Sequence, residues 1–215
     1  MDELKRKGQK FLAEWYNFNV FGFFILLVLV YLALLFLKRI FIIDEIAAFE
    51  ILQERGEFWV VDLILGLQYF AVPAFLLWKF LVTAFILWLG CFMFGYKLTF
   101  WQLWKWVMFS ELIFILPEAL KIIWFTVFTF EPTYEEYQAF FPFSLMNFMD
   151  YRNLDSRWHY PLKALNCFEV LYWHILVVGI FLLSGKKLKI SVYVVLSSYV
   201  LFFLLWLIFY LFVYG

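Results

Sequence analysis

Long apolar runs separated by short charged segments dominate the sequence. A membrane-spanning α-helix needs about 20 predominantly apolar residues. Four runs meet that length, namely Phe18–Leu37, Trp106–Phe128, Ala164–Leu183 and Ile190–Val213. The first run exceeds the core of a cleaved signal peptide, which measures about 7–15 residues, so we expect it to remain as an anchor. The pattern predicts an all-α protein, built as a polytopic helical transmembrane bundle.

A fifth apolar stretch, Trp59–Tyr96, is too long for a single crossing. At about 1.5 Å of rise per residue a helix of this length would reach roughly 57 Å, whereas the hydrocarbon core measures about 30 Å. No cluster of turn residues divides the stretch. Because proline suits the start of a helix, we predict a span over Pro73–Gly95. The residues before it are expected to form an interfacial or re-entrant helix.

The charges that flank these runs predict the orientation of five spans. The N-terminal segment 1–17 and the connections Tyr96–Lys105 and Ser184–Lys189 together hold nine basic and three acidic residues. The positive-inside rule therefore puts this side in the cytoplasm and the C-terminus outside. Six spans would instead move Lys97 and Lys105 to the outer side. We expect a cytoplasmic segment, 1–17, followed by one membrane domain, 18–215.

Two segments on the outer side do not fit a span. Phe41–Glu57 alternates acidic and apolar residues at helical spacing, which predicts an amphipathic helix lying at the interface. The outer loop, 129–161, contains three prolines among acidic and aromatic residues. Its aromatic residues suit the headgroup level, and we expect a cap over the outer end of the bundle. A plain connection is favoured over a ligand-binding loop.

The composition supports a lipid environment and narrows the function classes. Apolar residues make up 67% of the chain, against about 45–50% in globular proteins. Because 17 basic and 17 acidic residues cancel, no surplus is left to bind nucleic acid. Cys91 and Cys167 are expected to pack as small apolar side chains. Asp150, Asp155 and His159 permit at most a weak metal site, and a solvated loop is favoured there. We expect no metal, no cofactor and no enzymatic activity.

Charged residues inside the apolar runs are the candidate site. Each costs about 2.5–3.5 kcal/mol at a helix centre on insertion scales, so they are expected to face the bundle and find partners. Depths counted from the predicted span ends bring one group together in the outer half of the membrane. This intramembrane polar cluster comprises Lys79, Glu118, Lys121 and Glu169, with His174 just beneath.

Two neighbouring residues complete this prediction. Pro117 removes a backbone donor beside Glu118, and a helix kink is expected there. Glu111 lies closer to the cytoplasmic side, where it could pair with Lys105 or Lys97. Two roles stay open for the cluster. It is either a clamp that fixes the helix register, which is favoured, or a proton or ion relay.

Two short motifs, together with the order of the spans, carry a family resemblance. Gly95–Leu103 is similar to the glycine–basic–phenylalanine link between the second and third spans of the Yip1-domain membrane proteins. Pro161–Trp173, followed by Gly179, is similar to that family's Leu-Asn-x-Phe motif at the start of the fourth span and its later glycine. The chain therefore resembles the Yip1-domain family of five-span proteins.

The resemblance implies a function as well as an architecture. Eukaryotic members imply organelle membranes, trafficking and small-GTPase binding, and carry a long soluble N-terminal region with an Asp-Leu-Tyr-Gly-like motif that is missing from residues 1–17. The chain looks more like the short bacterial members, so we expect the bacterial inner membrane.

We expect a non-enzymatic membrane protein that organises or assists other membrane components. Its expected partners are the lipid bilayer and other membrane proteins. The alternative is a small carrier or permease subunit that uses the intramembrane Lys/Glu cluster, for a substrate that the sequence does not identify.

Overall fold

The computed structural model describes residues 10, 16, 18–44, 46, 59–129 and 132–214. Within these ranges the structure is all-α, as predicted. The described residues contain one isolated β-bridge, between Ser144 and Asn166. It connects the outer loop to the start of the apolar run Ala164–Leu183.

Helix α1, Val20–Lys38, follows the first predicted span. Asn19 caps its start, because the Asn19 side chain accepts hydrogen bonds from the next free backbone N–H groups. The helix continues as a π-helical segment, Arg39–Ile43. The first residues of the predicted amphipathic helix Phe41–Glu57 thus belong to this π-helical segment, and the rest of it lies largely outside the described residues.

Helix α2, Trp59–Met93, runs through Pro73 without a break. The prediction of a separate interfacial or re-entrant helix before Pro73 is therefore wrong. A proline removes only one backbone hydrogen bond, and membrane helices accommodate that loss. The apolar part that is long enough to cross a membrane begins at Gly66, seven residues before the predicted start.

The apolar run Trp106–Phe128, the third in chain order when Trp59–Tyr96 is counted, forms two α-helices in series. Helix α3, Phe100–Ser110, starts at a capping box between Thr99 and Gln102. A 3-10 segment, Glu111–Phe114, then leads into helix α4, Ile115–Val127. Pro117 lies in the first turn of α4. Because it cannot donate to the Ile113 carbonyl, the chain tightens just before it. The predicted span Trp106–Phe128 is consequently not one α-helix.

The outer loop folds over one end of the bundle. It contains helix α5, Tyr134–Ala139, two short 3-10 segments, and helix α6, His159–Ala164. The Phe140 ring stacks on Trp124 and meets Phe125 edge-on. The loop therefore packs on the end of α4.

The last two apolar runs form a tight helical hairpin. Helix α7, Cys167–Ser184, ends at Gly185, whose φ of 64° is the left-handed conformation that glycine adopts without strain. Helix α8, Leu188–Val195, continues through a π-helical segment, Leu196–Val200, into helix α9, Leu201–Val213.

Four helices in the described ranges are long and apolar enough to cross a membrane, namely Val20–Ile43, Gly66–Met93, Cys167–Ser184 and Leu188–Val213. They are compatible with an integral membrane protein. Five spans were predicted, but only four helices in the described ranges meet this length and hydropathy. The run Trp106–Phe128 does not, because the 3-10 segment Glu111–Phe114 interrupts it. The helices share a core in which Phe80, Leu176 and Tyr172 are fully buried.

Three hydrogen bonds between distant parts of the chain mark the two ends of the bundle. At one end, the Tyr16 hydroxyl donates to the Gln102 carbonyl and Lys186 Nζ donates to the Gly95 carbonyl. At the other end, Trp206 Nε1 donates to the Tyr160 hydroxyl. Helices α3 and α4 together connect one end to the other.

Candidate functional site

The 3-10 segment of the third run carries the most deeply buried charged residue of the described chain. Glu111 is 1% exposed. Its Oε1 accepts a hydrogen bond from Lys79 Nζ at 2.7 Å and another from the Tyr31 hydroxyl at 2.9 Å. Since Tyr31 lies on α1 and Lys79 on α2, this carboxylate joins three separate segments of the bundle.

An aromatic ring packs against the lysine of this ion pair. Lys79 Nζ lies 4.0 Å from the centre of the Phe114 ring, an arrangement in which the ring face attracts the cation. Glu111 Oε2 is buried and has no hydrogen-bond partner among the described residues. A buried oxygen without a donor costs free energy, so the carboxylate depends on the two donors at Oε1.

A second buried carboxylate lies on α7. Glu169 is 6% exposed, and its Oε1 accepts hydrogen bonds from Trp173 Nε1 and from the Tyr199 hydroxyl, each at 2.9 Å. The Asn166 side chain caps α7 by accepting the Glu169 backbone N–H.

An aromatic residue links the two carboxylates. The Tyr172 ring is fully buried and lies 5.0 Å from the Phe114 ring and 5.4 Å from the Tyr199 ring, centre to centre. Phe114 contacts the lysine partner of Glu111, and Tyr199 donates to Glu169. Glu111, Lys79 and Glu169 therefore belong to one layer of the bundle, in which both acids are buried and the Lys79 side chain is 27% exposed. We call it the carboxylate layer. It contains two acids and one base.

The other two charged residues of the predicted cluster, Glu118 and Lys121, lie apart from the carboxylate layer, near the outer loop. Glu118 pairs with Lys38 at the end of α1. Lys121 Nζ donates to the Tyr137 carbonyl at 2.7 Å and lies 4.0 Å from the centre of the Tyr137 ring. These contacts attach the loop helix α5 to the bundle.

The structure thus distributes the predicted polar cluster over two places. Lys79 and Glu169 belong to the carboxylate layer, whereas Glu118 and Lys121 lie at the loop end. His174 is exposed, and its Nδ1 lies 2.7 Å from the carbonyl of Val170 on its own helix. The predicted pairing of Glu111 with Lys105 or Lys97 is wrong, because Glu111 pairs with Lys79.

The depth of Lys79 explains this difference. Counting from Pro73 put Lys79 close to the outer surface, but α2 begins at Trp59. Lys79 therefore lies near the middle of the 28-residue segment Gly66–Met93, at the level of Glu111. Lys105 instead lies 4.7 Å from the centres of the Tyr16 and Phe18 rings. These rings lie at the end of the bundle where α3 begins, away from the outer loop.

Sequence reasoning missed three partners, namely Tyr31, Lys38 and Tyr199. Each lies in an apolar run or at its edge, where tyrosine and lysine are also common as interfacial anchors. A usable signal was the excess of buried acids over buried bases, which requires further donors from other helices.

Two cavities lie at the loop end of the bundle. The larger, about 690 Å³, has walls formed by α4 and the outer loop, including Trp124, Phe140 and Met146. The smaller, about 260 Å³, lies at the start of α7 and is lined by Glu169, Trp173 and Cys167 among others. One member of the carboxylate layer, Glu169, thus forms part of the wall of the smaller cavity.

The loop residues weighed as a weak metal site make other contacts. Asp155 pairs with Arg157 at 2.8 Å, and the His159 ring stacks on Tyr151 with 4.0 Å between ring centres. Among the described residues, no three acidic, histidine or cysteine side chains are grouped so that they could hold a metal ion.

Comparisons with protein-family models, with curated proteins and with solved structures yield no match.

Proposed function

We propose that the protein is an integral membrane protein that crosses the bilayer five times. In this proposal α3, the 3-10 segment and α4 form one broken crossing, while the four long helices form the others. The proposal is supported by the contacts at the two ends, since Gln102 at the start of α3 meets Tyr16 and Lys121 in α4 meets the outer loop. Local 3-10 adjustments are tolerated within membrane-spanning helices, as at Glu111.

Reporter fusions to each terminus of the full chain test this topology. A reporter that is active only in the cytoplasm should work at the N-terminus, and one that is active only outside should work at the C-terminus. Both termini in the same compartment would contradict five crossings. Gly95 and Gly185 offer internal insertion points, and both are expected on the cytoplasmic side.

The function that the geometry supports best is that of a non-enzymatic protein that organises or assists other membrane components. The observation that carries this proposal is the Lys79–Glu111–Tyr31 contact, because it uses buried charge to hold three segments in register. Such pairs suit structural specificity. Meanwhile large aromatic side chains such as Phe70, Phe92 and Phe212 are more than two-thirds exposed and are available to lipids and to neighbouring proteins.

Site-specific photocrosslinking in native membranes tests this function. A photoreactive amino acid replaces Phe70, Phe92 or Phe212 in turn, and Phe80, which is fully buried, serves as the control position. We expect a discrete protein adduct from at least one exposed position and none from Phe80. Lipid adducts alone at every exposed position, with a lone monomer on mild solubilisation, would contradict an organising role.

A carrier or permease subunit is the second candidate. The observation that favours it is the cavity whose wall includes Glu169, a member of the carboxylate layer. This function predicts pH-dependent flux across liposomes that contain the purified protein, with loss of flux in Glu169→Gln and in Lys79→Met. Glu135→Gln, which removes an exposed loop acid, is the matched control. Flux equal to that of empty liposomes would exclude this function.

The resemblance to short Yip1-domain proteins supports a location in the bacterial inner membrane, with the N-terminus in the cytoplasm. Fractionation of a bacterial host tests the location, since the protein should separate with inner-membrane markers. Recovery with outer-membrane or soluble markers would contradict it.

A further inference from the structure

The smaller cavity at the start of α7 combines a buried acid with aromatic walls. Phe143 and Trp173 line it together with apolar side chains, and Glu169 forms part of its wall. Its volume of about 260 Å³ is suited to a small group rather than to a whole metabolite. Glu169 is the charged residue in this wall, and Asn166 is a polar residue beside it.

Glu169 forms no ion pair with another described residue. Both side-chain hydrogen bonds that it accepts from them end on Oε1, which leaves Oε2 for a further donor. The nearest base, Lys79, forms its ion pair with Glu111. The start of α7 favours the ionised carboxylate, whereas burial without a cation disfavours it. A bound cation removes that penalty.

The chemistry of the walls selects the kind of cation. A metal ion prefers several oxygen ligands, and the Asn166 amide is already used, since its oxygen accepts the Glu169 N–H and its nitrogen donates to the Lys163 and Ala164 carbonyls. An ammonium group needs only one carboxylate and gains from neighbouring ring faces.

We propose that this cavity binds a primary ammonium group, which donates to Glu169 beside the Phe143 and Trp173 rings. The bound group balances the carboxylate layer, which otherwise holds two acids and one base. The site is independent of the proposed organising role. The ammonium can belong to the ethanolamine headgroup of a lipid or to a free amine, because both present the same chemistry.

Cys167 provides a reporter for occupancy of the cavity. It lines the cavity and is exposed, whereas Cys91 is buried. The full-length protein is placed in nanodiscs of phosphatidylglycerol, and the rate at which a neutral methanethiosulfonate reagent modifies Cys167 is measured. The rate is compared with that in discs that also contain phosphatidylethanolamine, and in discs with added ethanolamine or uncharged N-acetylethanolamine.

We expect the ammonium compounds to slow the modification by about tenfold at ligand concentrations near ten times the Kd, with no effect of N-acetylethanolamine. Protection by the lipid alone identifies a headgroup, and protection by ethanolamine alone identifies a free amine. Glu169→Gln should abolish the protection, whereas Glu135→Gln, a loop acid away from the cavity, should retain it.

Equal rates in all wild-type arms would overturn the proposal, and so would protection that survives Glu169→Gln. A rate that responds to pH but not to amines would also overturn it, because a protonated Glu169 would then explain the buried acid. Should Glu169→Gln fail to fold, the wild-type comparison of ethanolamine with N-acetylethanolamine still decides the question.

Discussion

The Trp106 indole occupies the space that a side chain at residue 179 would need. Gly179 lies directly under the ring, and a Cβ atom there would overlap it. Trp106 Nε1 donates to the Ile175 carbonyl, one turn before Gly179, at 3.0 Å. This contact holds α3 against α7, so the absence of a side chain at Gly179 sets the distance between these two helices.

Gly179→Ala is expected to destabilise the protein, because the added methyl group forces Trp106 away and weakens its hydrogen bond. Overpacking of this kind costs about 1–3 kcal/mol. The measurement is thermal unfolding of the purified protein in mild detergent. Gly66→Ala is the matched control, since nothing lies within 4 Å of the new Cβ atom. Equal melting temperatures for the two variants would contradict this packing.

Lys79→Met should be strongly destabilising, because it leaves Glu111 buried without its cation. Breaking a buried pair costs about 3–5 kcal/mol. Adding Glu111→Gln should recover part of the loss, whereas Tyr31→Phe should cost less than Lys79→Met because it removes one hydrogen bond. Unfolding measurements on the single and double variants give the coupling energy. Strict additivity of Lys79→Met and Glu111→Gln would show that the pair is not coupled.

Two capping boxes predict different responses to acid. Hydrogen bonds from Thr133 lower the pKa of Glu136, so this box stabilises α5 above the unfolded pKa of about 4.3. That contribution is lost as the pH falls through the lower folded pKa. The box at Thr99 uses Gln102, which does not titrate.

Hydrogen exchange measured through this pH range should therefore show acid-induced opening of Tyr134–Ala139 after correction for intrinsic rates. The start of α3 at Phe100 serves as the internal control and should be insensitive. Glu136→Gln should remove the pH dependence of α5. Parallel opening of both helices would contradict an origin in Glu136.

Gly90→Ala should also be destabilising, because its Cβ atom would lie 2.6 Å from Ser198 Cβ, where α2 meets the π-helical segment of the last run. Overpacking again costs about 1–3 kcal/mol. The double variant Gly90→Ala/Ser198→Gly should be more stable than the sum of its single effects, since the remaining neighbour is Val194 at 3.4 Å. Thermal unfolding measures this rescue, and its absence would rule out the clash as the cause.

Much of the fold could be predicted from the pattern of apolar residues. In lipid, backbone groups must be satisfied within the segment, so long apolar runs become helices, and α1, α7 and the last run lie close to their predicted limits. Local rules failed at Pro73 and at Glu111. A proline can start a helix or be carried within one, and packing against neighbours decides between these outcomes.

The sequence by itself determined that the chain is all-α and rich in apolar helices, and that several charges lie inside them. Only the tertiary structure decided which charges meet. Pairing of Lys79 with Glu111, and of Lys38 with Glu118, depends on the depth and rotation of each helix. Contacts along the whole bundle set these two quantities, and a segment read in isolation does not contain them.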